Sequence, residues 1–135
     1  MKIIKDYPPN YSELKRFFPL DLPDYVPVFP WGDVLYNPSG NEISPDLMFH
    51  EEIHSKQQGD YPEIWWQRYC SDSQFRLEQE VEAYAGQLNF VKRALGSKIA
   101  KEFLGCFAKD LSSPLYQLKI TYFQAETLIR CHSKK

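Results

Sequence analysis

Three residues within one helical turn are the strongest chemical signal in this 135-residue chain. Phe49-His50-Glu51-Glu52-Ile53-His54 contains the pattern His-Glu-x-x-His. On a helix, side chains four residues apart lie roughly 40° from each other, one turn above the other. His50 and His54 are therefore expected to reach one ion, and imidazole nitrogen is a good ligand for Zn²⁺. Glu51 follows His50 on the same side, where its carboxylate would take a proton from a zinc-bound water. Glu52 points the opposite way, toward solvent. Phe49 and Ile53 fall on a neighbouring face expected to anchor the helix in the core. The competing reading is a pair of surface histidines, but two of the chain's three histidines fall in this single turn.

A catalytic zinc usually has three protein ligands and one open position. His132 is the only other histidine and lies near the end of the chain, in an expected frayed tail. Three carboxylates, Glu78, Glu80 and Glu82, lie on a later helical stretch. The apolar stripe of that stretch is Leu77, Val81, Tyr84, Leu88, Val91 and Leu95, and its centre lies roughly 60° from Glu80 but about 100° from Glu78 and 140° from Glu82. Glu80 is thus the carboxylate at the edge of the core face, where it needs a cation. Zinc would supply one; a salt bridge with Arg76, one turn earlier, is the alternative. Tyr84 follows Glu80 on the same side. It could hydrogen-bond a ligand histidine, help to stabilise an oxyanion, or serve as an ordinary core tyrosine. Gln87 follows on that face with a weaker case. Ala83 is small enough to let two helices approach closely. Gln57 and Gln58 flank the histidine face, Gln58 being the better candidate for a cleft.

These residues need helices to hold them. Ser44, Pro45 and Asp46 form a start signal for a helix from Pro45 to about Gln58, stopped at Gly59. Asp60-Tyr61-Pro62-Glu63 has the form of a capping box opening a short helix through Tyr69. Ser71-Asp72-Ser73 starts a long helix from about Gln74 to Leu95, closed by Gly96. Further helices are predicted over about Lys98–Lys109 and, opened by Thr121 and Gln124, to about Cys131. Seven of the ten prolines fall in the first 38 residues, so that region is expected to be extended chain wrapping a core, with one short helix over Ser12–Phe18. Val34–Tyr36 reads as a short strand before the turn Asn37–Asn41. Glu42-Ile43 either returns as a second strand of a hairpin or leads directly into the helix. The fold class is therefore α+β, mainly helical, and the chain is expected to form one domain over residues 1–135.

Composition removes several functions. The net charge is −2 with no long basic run, so nucleic acid is not the expected partner. No apolar run approaches the length of a membrane span, and residues 1–6 lack the apolar stretch of a secretory signal, so a cytoplasmic protein is expected. Three cysteines, Cys70, Cys106 and Cys131, form no close pair and are expected to be reduced thiols, with zinc ligation the minor alternative.

The His50–His54 motif followed by Glu80-x-x-Ala83-Tyr84 resembles the gluzincin arrangement of zinc metallopeptidases. In those enzymes two histidines and a glutamate on a second helix bind zinc, and the glutamate after the first histidine activates water. The matching positions are His50, His54, Glu80 and Glu51. Thermolysin-like members commonly carry aspartate where this chain has Tyr84. More closely, the stretch from Asp33 through Gln87 resembles small, largely uncharacterised metallopeptidase-like proteins encoded by phages and prophages. The matching features include Tyr36-Asn37-Pro38, Ser44-Pro45-Asp46-Leu47, Gln57-Gln58-Gly59 and Phe75-Arg76, with Leu111–Tyr116 extending the match downstream. The resemblance implies a compact zincin-like domain and a Zn²⁺ site but little about the substrate; as a metallopeptidase the chain is expected to act on a peptide or protein in the cytoplasm of a bacterial host. Oxyanion help would come from Tyr84, or from Tyr61 or Tyr69. The alternative is a catalytically silent zinc-binding phage protein with a structural, assembly or interaction role, its Pro-rich N-terminal segment covering the site.

Overall fold

The protein is described by a computed structural model over residues 1–22 and 25–135. In chain order its elements are β1 (Lys2–Ile4), α1 (Tyr11–Phe17), β2 (Phe29–Trp31), β3 (Val34–Tyr36), α2 (Pro45–Gln58), α3 (Pro62–Ser71), α4 (Ser73–Leu95), α5 (Ser97–Leu111), a 3₁₀ turn (Pro114–Tyr116) and α6 (Tyr122–Ser133). The fold is mainly helical with one small sheet, as the sequence predicts. No helix among the described residues is long and apolar enough to cross a membrane.

The sheet differs in detail from expectation. β3 is its central strand, with β1 parallel on one side and β2 antiparallel on the other. The hairpin partner of Val34–Tyr36 is Phe29–Trp31, in the register Phe29↔Tyr36 and Trp31↔Val34. Glu42-Ile43 is not a strand and leads into α2. The two strands meet through Gly32-Asp33, with Gly32 at φ +60°, a conformation that suits a two-residue hairpin turn. Pro30 sits in β2 because an edge strand tolerates a missing N–H. Leu35 in β3 is fully buried.

Most helix ends fall where the capping chemistry puts them. Gly59 (φ +56°) stops α2. The Asp72 side chain accepts from the Phe75 amide at the start of α4, 3.1 Å away. Thr121 and Gln124 form a reciprocal capping box at α6, with bonds of 3.1 and 2.9 Å. Two starts differ, and α2 keeps its predicted bounds without a side-chain cap bond. Pro62 takes the first helical position of α3, so Tyr61 rather than Asp60 is its cap residue and no box forms there. Ser44 occupies the cap position of α2 without a side-chain bond. Helix α1 begins at Tyr11 rather than Ser12, with Asn10 in the cap position and no side-chain cap bond. At the other end of the chain, His132 lies within α6 rather than in a frayed tail.

Two apolar clusters flank the middle of α4. One joins α4, α5 and α6 through Tyr84, Leu88, Val91, Leu104, Phe107 and Ile129. The other is aromatic and joins α1, β2 and α3 through Leu14, Phe18, Phe29, Trp65, Trp66 and Tyr69. The predicted stripe of α4 holds from Leu77 to Val91, but Leu95 in its last turn is 58% exposed.

Helix α2 packs mainly on α4, and its buried residues are all polar or charged: His50, Glu51, His54 and Gln58. Phe49 and Ile53 are only half-buried, so the helix is not anchored by an apolar core face. Instead they lie along α4, where the Phe49 and Phe90 rings are 5.4 Å apart. Ala83 is fully buried, and at Gly86 an added Cβ would stand 2.3 Å from Ile53 Cδ1. A glycine inside a helix costs roughly 1 kcal/mol against alanine, and here it gives room to the side chain that crosses it. Gly86→Val is expected to lower the unfolding free energy by about 1–3 kcal/mol, read as a lower urea midpoint at unchanged slope. An unchanged midpoint would show that α2 does not sit this close to α4.

Candidate metal centre

The polar stripe of α2 faces Glu80 on α4. His50 and His54 are each 3% exposed, Glu80 3% and Glu51 6%. The two Nε2 atoms are 3.1 Å apart, and each lies 3.3 Å from Glu80 Oε1. Four donors around a tetrahedral ion at about 2.0–2.1 Å stand roughly 3.3–3.4 Å from one another. The observed triangle matches three corners of that tetrahedron, so His50, His54 and Glu80 form a group that could hold a metal ion.

The outward-facing ring nitrogens decide which atoms are free to bind. His50 Nδ1 lies 2.9 Å from Gln87 Oε1, and Gln87 Nε2 donates to Asp46 Oδ2 at 2.7 Å. His54 Nδ1 lies 2.7 Å from Gln57 Oε1, and Gln57 Nε2 donates to the Gln79 carbonyl and to Glu82 Oε1, both at 3.1 Å. Each glutamine is oriented by acceptors that cannot donate, so its own oxygen faces the imidazole. Both Nδ1 atoms therefore carry the proton, and both Nε2 atoms present lone pairs. Two lone pairs and a carboxylate oxygen meet in a buried space, an arrangement that needs a cation.

Without a metal, a proton takes that place. Burial disfavours the charged form of His54, but the Glu80 carboxylate, by charge and hydrogen bond, outweighs it and pushes the imidazole up to about 9. Burial would likewise raise Glu80, yet His54 and His50 hold it well below the usual carboxylate range. Its other oxygen is fixed by the Tyr69 hydroxyl, which donates to Oε2 at 2.5 Å, a short charge-assisted bond. Burial, then the Glu80 charge, keeps the Tyr69 phenol protonated far above its ordinary range. The Trp65 ring stacks on Tyr69 and packs near His54, with its Nε1 bonded to Gln79 Oε1 at 2.8 Å.

Glu51 stands beside the triangle. Its Oε2 is buried and has no hydrogen-bond partner among the described residues. Burial pushes its carboxyl up; the neighbouring imidazoles oppose this and Glu80 adds to it. Glu51 and His50 line two adjoining cavities. The smaller, about 80 Å³, is lined by His54 and Glu80 as well, and its other walls include the apolar residues Leu14, Phe18, Val28, Phe29 and Trp66. The larger, about 580 Å³, is bounded by Pro19, Leu22, Asp46, Tyr84, Asp110 and Leu115 among others. The N-terminal segment thus walls the site from Phe18 to Leu22 and again from Tyr25 to Pro30.

Several expectations meet a different geometry. The Tyr84 hydroxyl pairs with that of Tyr116 at 2.7 Å and bonds neither histidine; its ring packs edge-on against His50, centroids 4.5 Å apart. Arg76 makes no ion pair with Glu80. It donates instead to the carbonyls of Tyr69, Cys70, Tyr116 and Gln117, at 2.5–3.3 Å, because α3 and the 3₁₀ turn bring four unpaired acceptors to it. Gln58 turns away from the cleft, accepting from Gly32 N and donating to the Pro30 carbonyl to hold the β-hairpin turn against α2. Its neighbour Gln57 is the residue that serves the site. Tyr61 is 68% exposed. Glu78 and Glu82 are exposed, as predicted. None of the cysteines joins the group: Cys70 lies in the aromatic cluster and its thiol is pushed up to about 11 by burial, while Cys106 and Cys131 are exposed.

Sequence reasoning gives Gln87 only a weak case and passes over Trp65 and Tyr116. Gln87 had a usable signal, being two turns after Glu80 on the same face. Tyr116 has none, since its partner Tyr84 is 32 residues away. Compared with known protein families, curated proteins and solved structures, the chain gives no match.

The raised His54 value sets a pH dependence. In the metal-free protein the His54–Glu80 pair contributes stability that is full between the ordinary carboxylate and histidine values, is lost as pH rises through about 9, and is lost in acid as Glu80 takes up its proton. A metal must displace that proton, so at about pH 7 binding is expected to release one proton, measured by calorimetry in buffers of different ionisation enthalpy. Apparent affinity is expected to rise about tenfold per pH unit from there and to level off above about 9. Proton-independent binding would contradict this description.

Proposed function

We propose that the chain is a zinc-dependent metallopeptidase with a minimal zincin-like fold and a gluzincin ligand set. Two imidazole nitrogens and one carboxylate oxygen at tetrahedral spacing suit Zn²⁺. His50, His54 and Glu80 would hold it, and the ion would supply Lewis-acid polarisation of a carbonyl and acidification of water.

The observation that carries the reading is Glu51, a buried residue beside the ligand triangle that lines both cavities and whose Oε2 has no hydrogen-bond partner among the described residues. A purely structural site gains nothing from such a group, which costs free energy to bury. As a general base its raised proton affinity is useful: Glu51 takes a proton from water and delivers it to the leaving amine. Gln57, Gln87 and Tyr69 keep the ligand atoms in place through that transfer. Tyr84 presents its ring to His50, and its hydroxyl pair with Tyr116 is the candidate donor to charge developing on the carbonyl oxygen. The smaller cavity takes a substrate side chain. At about 80 Å³ it is roughly half the size of a cavity known to hold benzene, so an aliphatic side chain is favoured over an aromatic one.

Glu51→Gln is expected to keep zinc at full occupancy while hydrolysis of unstructured peptides, followed by mass spectrometry, falls by about 10²–10⁴-fold. Cleavage sites in the wild-type digest are expected to carry a small aliphatic residue on one side. Retained hydrolysis in the variant would overturn the mechanism. Zinc binding with no wild-type turnover would favour a catalytically silent zinc-binding phage protein.

A further inference from the structure

Among the described residues, five line both cavities: Tyr25, His50, Glu51, Leu115 and Tyr116. They form the wall that a space of about 80 Å³ shares with one of about 580 Å³. Four of them are held there by other duties. His50 belongs to the ligand triangle and Glu51 follows it on α2. The Tyr116 hydroxyl is paired with that of Tyr84. Leu115 precedes Tyr116 in the 3₁₀ turn, which Arg76 holds through the Tyr116 carbonyl at 2.8 Å.

Tyr25 has no such duty. Its ring belongs to neither apolar cluster and is 50% exposed. It also lines a third cavity of about 380 Å³, with Val26, Asn37 and Leu47. A large aromatic ring stabilises a fold through the area it buries, and a half-exposed ring where three open spaces meet gives little of that. What it does there is keep the spaces apart. The shared wall includes the residue proposed as general base, so a substrate must lie across it. An extended peptide sends successive side chains to opposite faces, which places neighbouring side chains on the two sides of the wall.

We propose, resting on the peptidase reading above, that Tyr25 is a specificity-determining residue of the substrate site. Its ring closes the smaller cavity off from the larger one and so limits the side chain that the smaller cavity accepts. Without the ring the two spaces join, and that limit is lifted.

The test is equilibrium binding of phosphinic pseudopeptides to the zinc-loaded full chain, which requires no turnover. The probes carry leucine, phenylalanine or homophenylalanine beside the phosphinate, on each side in turn, with alanine on the other. On one of the two sides the wild type is expected to bind leucine about tenfold or more tighter than homophenylalanine. In Tyr25→Ala that ratio is expected to fall to about threefold or less, through tighter binding of the large probe rather than loss of the leucine one. Tyr25→Phe keeps the ring, and Val26 lines neither of the two cavities; Tyr25→Phe and Val26→Ala are both expected to keep the wild-type ratio. An unchanged ratio in Tyr25→Ala, an equal fall in either of the other variants, or a wild type without preference on both sides overturns the proposal and leaves the peptidase reading standing. A fall confined to Tyr25→Ala, in a protein that hydrolyses no peptide, keeps the partition and sinks the peptidase reading alone. No binding by any probe overturns both.

Discussion

Two imidazole nitrogens and a carboxylate oxygen, 3.1–3.3 Å from one another inside the protein, cannot stay there without a positive charge among them. That requirement explains features of the fold that otherwise look unfavourable. Helix α2 buries only polar or charged side chains, so hydrophobic burial does not hold its inner face in place. Its attachment comes from Glu80 across the gap, from the glutamines behind each histidine, from Gln58 and Ser55 on the β-hairpin turn, and from the half-buried Phe49 and Ile53 along α4. In the metal-free chain a proton on His54 supplies the charge; a divalent ion at the same point would satisfy all three acceptors together.

The surrounding structure serves to fix directions. Gln57 and Gln87 set the tautomers because their amide nitrogens are committed to a backbone carbonyl and to carboxylates. Tyr69 occupies Glu80 Oε2, which leaves Oε1 to face the histidines. Arg76 extends this order outward. It gathers the carbonyls at the end of α3 and in the 3₁₀ turn, tying Tyr69 to Tyr116, and Tyr116 in turn holds the Tyr84 hydroxyl. The α4–α5–α6 cluster thus meets the site through Tyr84, and the aromatic cluster meets it through Tyr69 and Trp65. Of the site residues, Glu51, which lines both cavities, is left with an oxygen unsatisfied among the described residues.

What could be read beforehand was whatever depends on helical period. The His50–His54 spacing and the selection of Glu80 over Glu78 and Glu82 follow from angles along a single helix, and both agree with the geometry. The caps at Asp72 and Thr121 are local chemistry and were legible for the same reason. Choices made by tertiary contacts were not. Gln57 and Gln58 both flank the histidine face, and only the position of the β-hairpin turn assigns Gln58 to it. Tyr84 has the right phase to reach a ligand, but Tyr116 takes its hydroxyl from far along the chain. Strands of three residues, one containing proline, carry too little alternation to be recognised, so β1 and β2 were hidden in a segment that reads as irregular. At Asp60 two local signals competed, and the fixed φ of Pro62 prevailed over the box pattern.

Zinc K-edge X-ray absorption on protein loaded with zinc and then dialysed tests the central claim most directly. The expected result is one retained zinc per chain, with two imidazole nitrogens and oxygen ligands at about 2.0–2.1 Å and no sulfur, and with zinc lost in Glu80→Ala. A spectrum showing sulfur or fewer than two imidazoles, or a chain that retains no zinc, would contradict it.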